Sequence, residues 1–236
     1  ILSGDFDPEV VIKDAEQLFS YMQTKPVPEF TFSPEDPILK PIEKDVYGQD
    51  AENVVIAYRV PSATSPDFQL MNLISKILSN QTAGLIDINL NQAQKVMNGY
   101  CYPYLLKDYG VLMLGANPKS GQKLEDVKSL LLEQIEKLKK GDFQEWLITS
   151  SVNSIKLDET KSFESNQGRA FDILNAFTNG MEWQRYLMLK KRLDVLTKKD
   201  VMEFASKYFN DNYVVINKRQ GEDKNVKKVD KPAITP

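Results

Sequence analysis

A chain of 236 residues with 42% hydrophobic content is long enough to bury a core, as one large domain or two small ones. Its formal charge of −3, with no long run of basic residues, lacks the electrostatic footprint of a nucleic-acid binder. Histidine is absent, which excludes a His general base, the usual Ser/His or Cys/His nucleophile pair and any His-containing zinc site.

Cys101 is the only cysteine, so an internal disulfide is excluded and the redox compartment stays open. No apolar run approaches the ~20 residues of a membrane span. The first residues, Ile-Leu-Ser-Gly-Asp, are neither a signal peptide nor an initiator Met, which suggests a piece of something longer. No Asp-x-Asp-x-Asp-Gly loop or tight acidic cluster points to a Mg²⁺ or Ca²⁺ site.

In chain order, Ile1 to Ser3 read as the end of a strand. Asp7 then caps a helix with Pro8 in its first position, running to about Met22 with Val11, Ala15, Leu18, Phe19 and Met22 on one face. Pro26 to Pro41 holds five prolines and is expected to be an extended crossing loop. Asn53 to Val60 alternates, placing Val54, Ile56, Tyr58 and Val60 on one side as in a sheet strand. Ser65 caps a helix over Asp67 to Leu78, and a further helix is expected from Leu85 to about Gln94.

Val96 to Lys107 and Gly110 to Ala116 are expected to form a hairpin around Lys107-Asp108-Tyr109-Gly110. Pro103 has no N–H for a ladder, so its strand lies at an edge or bulges there. From Leu124 to Phe209 the pattern is helical. Leu124, Val127, Leu131, Ile135 and Leu138 stripe one helix that Gly141 stops, and Asp142 with Glu145 resembles a capping box for the next. A helix from Phe163 to Phe177, another from Met181 to about Leu196, and a last one capped by Thr197 with Asp200 follow. Asn212 to Lys218 is the final strand, and 219–236 is charged and expected to be a linker toward a following half. Strands that do not alternate singly with helices imply an α+β fold, a mostly antiparallel sheet covered by a layer of helices, with 1–218 as a single domain.

Several pieces, in this order, resemble the second, non-zinc domain of a half-molecule in the insulinase/pitrilysin family of zinc metallopeptidases. They are Leu2-Ser-Gly-Asp-Phe-Asp-Pro, Val54-Val-Ile-Ala-Tyr-Arg-Val-Pro, the helix from Asp67, Leu90-Asn-Gln-Ala-Gln-Lys-Val, Leu193-Asp-Val-Leu-Thr-Lys-Lys-Asp-Val and Asn212-Tyr-Val-Val-Ile. The resemblance implies a metallopeptidase-like α/β roll that helps enclose a peptide chamber and docks on a zinc-bearing domain and a second half of the same protein. It also implies zinc in the parent protein and none in this chain, because the family's His-x-x-Glu-His site cannot be built without histidine. Peptide is the substrate implied, and this chain alone is not expected to be catalytic. The alternative is a structural or assembly protein of peptidase-like fold that has lost the zinc site.

The family's non-zinc half often holds the peptide carbonyl with an Arg and a Tyr seven residues apart. Here Ala93 stands seven before Tyr100, so Tyr100 alone remains as the candidate for touching peptide. Tyr100, Tyr102 and Tyr104 alternate onto one strand face, where packing between sheet and helices is the reading preferred over a peptide channel. The Val54 to Val60 strand would take an extended peptide if it were an edge. Cys101 reads as a small buried hydrophobe, Lys190-Lys-Arg192 as a solvated helix face, and Glu133, Glu136 and Glu145 as helix-surface carboxylates near lysines.

Overall fold

The alternation in Asn53 to Val60 is realised in full: Val54, Ile56, Tyr58 and Val60 are buried, and the residues between them are half-buried. The computed structural model describes residues 1–28 and 30–223. Five strands, β1 (Ile42–Gly48), β2 (Asn53–Val60), β3 (Asn98–Leu105), β4 (Gly110–Asn117) and β5 (Tyr213–Gln220), form a sheet in the order β1-β5-β2-β4-β3. Only the β1–β5 pair is parallel, so the sheet is mostly antiparallel and the fold is α+β. Register aligns Ile56 with Leu114 and Val215, and Cys101 with Leu114, so these side chains share one face.

That face carries the core. On it lie α2 (Phe68–Leu78), α3 (Leu124–Lys140) and α7 (Lys198–Tyr208), which bury Leu73, Ile74, Ile77, Val127, Leu131, Leu138, Val201 and Phe204 against the strands. Each such side chain contributes roughly 1.5–3 kcal/mol on burial. A second tier, α4 (Trp146–Glu164) and α6 (Trp183–Lys191), packs on α2, with α5 (Asn166–Thr178) against both. The opposite sheet face presents Val55, Ala57, Arg59, Val111, Met113, Val214 and Ile216, all only half-buried.

Local signals set several of the helix ends. Asp7 accepts from the Glu9 N–H at 2.9 Å and Pro8 begins α1 (Pro8–Leu18). Gly141, at φ 67°, closes α3 in the left-handed conformation that a side chain would strain. Thr197 and Asp200 form a reciprocal capping box at the start of α7. Replacing Thr197 with alanine is therefore expected to cost about 1 kcal/mol in urea unfolding.

Several expectations are corrected. Ile1 to Ser3 are not a strand, since no neighbouring strand among the described residues pairs with them. The first helix stops at Leu18 rather than Met22 and buries none of its residues. The helix expected over Leu85 to Gln94 is present but ends at Gln92, and from Asp87 to Gln92 it is wound as a π-helix. Asp142 and Glu145 make no capping box: Lys137 takes the Asp142 carboxylate at 3.1 Å, and α4 starts only at Trp146. Finally, α4 runs on to Glu164, and it is Ser165, accepting from the Gly168 N–H at 2.9 Å, that starts α5. The last strand extends through Gln220, and residues 224–236 of the expected linker lie outside the described residues.

The sequence reading has no counterpart for β1. Its core-side residues are Glu43 and Asp45, which meet charge instead of hydrocarbon: Lys128 of α3 bonds Glu43 at 2.7 Å, Arg219 bonds Asp45 at 2.8 Å and Glu125 at 2.8 Å, and the Asn217 amide donates to both β1 carboxylates. The bond from Lys128 holds Glu43 below its ordinary value of 4.5, and the bond from Arg219 holds Asp45 below 3.8. Folded pKa values lower than unfolded ones give stability that is fully present above the unfolded values and is lost as pH falls from them through the lowered folded values. The urea midpoint is expected to drop between about pH 5 and pH 3, and Arg219→Ala to flatten that dependence.

Candidate functional site

A cavity of about 1050 Å³ opens between β3 and helices α2, α4 and α6. Because β3 ends the sheet, its outer backbone faces this space. Asn91, at the end of the π-helical segment, fixes which groups point outward: its amide donates to the Gly99 carbonyl at 2.9 Å, and its oxygen accepts the Gly99 N–H at 2.7 Å. Antiparallel strands alternate inward and outward groups, so the next outward residues are Cys101 and Pro103. The free edge therefore offers the Cys101 N–H and carbonyl and the Pro103 carbonyl. Proline at an edge costs no ladder bond, as its sequence position implied.

The cavity floor is held by Asp87, which is 3% exposed. Its carboxylate accepts from the Ser79 hydroxyl at 3.0 Å, the Asn80 N–H at 2.7 Å and the Gly84 N–H at 3.1 Å, tying the loop after α2 to the π-helical segment. Gly84 is required there, since a Cβ would sit 2.7 Å from the Leu78 carbonyl oxygen. The helical wall carries charge. Lys76 pairs with Asp158 at 2.9 Å, and Lys190 pairs with Asp172 at 3.0 Å while lying over the rings of Phe163 and Tyr186. Burial, with Asp172 beside it, pushes the Tyr186 phenol up, and its hydroxyl donates to Asp172 at 2.9 Å.

Tyr100, Tyr102 and Tyr104 project from the sheet face away from the helices, so they do not fill the space between sheet and helices. Tyr100 and Tyr102 stack with centroids 5.8 Å apart and border the cavity, and Tyr100 lies across Gly115, where any Cβ would collide with its ring. Tyr100 is half-buried; burial, and then Tyr102 alongside, raise its phenol. Val54 to Val60 is an interior strand between β5 and β4, so it has no edge to lend to a peptide. Cys101 is buried, and burial pushes its thiol up, away from the nucleophilic thiolate. Glu133 and Glu136 pair with Lys137 and Lys139 on the surface of α3.

Lys190 departs from expectation: with its side chain 12% exposed it is part of the cavity wall, while Lys191 and Arg192 are exposed. Its place one helical turn after Tyr186 was the available signal, because residues four apart share a face. Among the described residues no group of three or more Cys, Asp and Glu side chains could hold a metal ion, and no helix is long and apolar enough to cross a membrane.

Residues 1–155 match the family model described as the peptidase M16 inactive domain. The chain is 21% identical over 174 residues to the zinc protease PqqE of Helicobacter pylori, an alignment covering 72% of this chain and 38% of that protein. Among solved structures it resembles a protease from Helicobacter pylori, with a TM-score of 0.85 at 19% identity over 92% of this chain and 54% of the other. It also resembles the inactive peptidase domain of a putative zinc protease from Bordetella parapertussis, with a TM-score of 0.65 at 19% identity over 72% of this chain and 93% of that one. The chain thus spans well under two thirds of the Helicobacter proteins. A matched segment of this extent, on a mostly antiparallel sheet backed by helices and without histidine, places the chain in the insulinase/pitrilysin (M16) peptidase family, as its inactive domain.

Proposed function

We propose that this chain is the non-catalytic domain of a zinc-dependent peptidase, forming one wall of a peptide-enclosing chamber beside a zinc-bearing domain. The carrying observation is the free edge of β3 facing a cavity of about 1050 Å³. An extended peptide laid along that edge bonds to the Cys101 N–H and carbonyl, the mode by which sheets commonly take up strands. Tyr100 and Tyr102 border the same edge and supply apolar area with a hydroxyl at its rim. Zinc and the hydrolytic step belong to the partner domain, and the carboxylates and lysines of this wall orient the peptide.

The test is a peptide titration of the intact protein and its Tyr102→Ala variant. Tyr102 is 45% exposed, so its loss is expected to leave the urea midpoint unchanged. Loss of an aromatic contact worth ~0.5–1.5 kcal/mol weakens peptide binding by about 2- to 10-fold. The 236-residue chain alone is expected to hydrolyse nothing, with or without added zinc. Unchanged binding by Tyr102→Ala, or chelator-sensitive cleavage by the chain alone, would sink the proposal.

A further inference from the structure

Helix α1 is amphipathic, yet none of its residues is buried. Val11, Ile12, Ala15 and Leu18 fall on one stripe, continued by Phe19 and Met22, as helical spacing dictates. Leu18 is 70% exposed, Met22 64%, Ile12 59% and Phe19 55%. An apolar stripe of this size on a surface marks an interaction site. Among the described residues, the hydrogen bonds that tie this segment to the rest of the chain lie at its two ends. At one end the Arg169 Nε donates to the Ser3 hydroxyl at 3.2 Å; at the other, Arg59 bonds the Glu35 carboxylate and the Asp36 carbonyl, and the Tyr109 hydroxyl accepts the Glu35 N–H. Among the described residues, nothing from 5 to 31 makes a hydrogen bond or ion pair with the rest of the chain.

Charge narrows the choice of occupant. Glu9 and Glu16 border one side of the stripe and Asp14 the other, with Asp5 and Asp7 just before the helix and Lys13 the lone cation on the far face. A second copy would bring this acidic rim against itself, because a two-fold interface is self-complementary. Like charges so placed disfavour that pairing. A groove with apolar walls and basic rims fits instead. Relatives supply the chain for such a groove: the Helicobacter structure carries nearly as much again beyond the part this chain matches. The matched family segment begins at residue 1, so α1 belongs to the inactive-domain pattern itself.

We infer that residues 4–28 form a docking arm whose α1 face seats in an apolar, basic-rimmed groove of the zinc-bearing domain. This rests on the domain pairing proposed above. The arm completes the partner's surface, and the β3 cavity stays free for peptide.

The experiment compares amide exchange of α1 in the native assembly, purified from its own source, with exchange in the 236-residue chain. In the assembly, amides of residues 12–18 are expected to exchange at least 100-fold more slowly than in the chain alone. The double variant Leu18→Asp, Phe19→Asp is expected to weaken domain pairing at least 10-fold while leaving the chain's own urea midpoint unchanged. Glu9→Lys with Glu16→Lys is expected to weaken it too, and increasingly so at low salt. An assembly that contains the zinc-bearing domain but leaves α1 exchanging freely overturns the inference and spares the pairing. An assembly without a zinc-bearing domain overturns both. Dimerisation of the chain alone, abolished by the Leu18/Phe19 variant, assigns the face to a second copy and overturns the inference.

Discussion

Asp87→Ala is expected to destabilise the protein by about 3 kcal/mol, because a buried carboxylate that accepts several hydrogen bonds leaves every donor unpaired when removed. The donors are the Ser79 hydroxyl and the Asn80 and Gly84 N–H groups, at 2.7–3.1 Å from the carboxylate oxygens. The Gly84 bond is buried, so water cannot readily replace that partner. For a chain of this length the loss corresponds to a fall of roughly 6–12 °C in Tm. Asp87→Asn keeps the shape and one acceptor but turns an amide donor toward N–H groups, so its cost is expected to lie between those of wild type and alanine. The loop it pins continues into Asn91, which holds Gly99 of the edge strand, so peptide binding is expected to weaken with stability. An alanine variant with an unaltered melting curve would show that the carboxylate contributes nothing net.

What the sequence made legible follows from where hydrocarbon meets hydrocarbon. β2 was readable because its core-side residues, Val54, Ile56, Tyr58 and Val60, are apolar and alternate. β1 was not, because the inward positions are Glu43 and Asp45, satisfied by Lys128 and Arg219 from elements far away in sequence. A period-2 apolar test is blind to a strand held by ion pairs. The tyrosines of β3 show the converse limit. Their alternation was plain, but which face of the strand looks at the helices is decided by Cys101 pairing with Leu114 across the sheet, a tertiary fact. Pro103 marked β3 as an edge or a bulge from its missing N–H, but whether Val54 to Val60 is an edge has no local signal, since strand order depends on β5 entering between β1 and β2. The cavity wall was hidden for a related reason: Lys190, Asp172 and Glu159 come from three different helices, and no local pattern brings them together.

Phe209→Ala is expected to cost about 3–5 kcal/mol, the range for truncating a buried phenylalanine and leaving a cavity. The ring is 1% exposed and lies at the end of α7, 5.0 Å from Tyr58 of β2 and 5.8 Å from Phe204; Tyr58 in turn lies 5.4 Å from Tyr213 of β5. Phe209 thus ties the end of α7 to β2, and Tyr58 carries the ring contact on to β5. The family match ends at Ile155, inside α4, yet β5 pairs with β2 along Asn53 to Tyr58 and with the whole of β1. Residues beyond the match are therefore structural partners of residues within it. Accordingly, Phe209→Ala is expected to shift one cooperative unfolding transition to lower urea, with the slope retained. A second, early transition would show instead that α7 and β5 unfold apart from the strands they join. Phe177→Ala, at a ring 77% exposed, serves as the control and is expected to stay within about 0.5 kcal/mol of wild type. A chain ended at Ile155 would expose Tyr58 and strand β1 without its partner, and is expected not to fold.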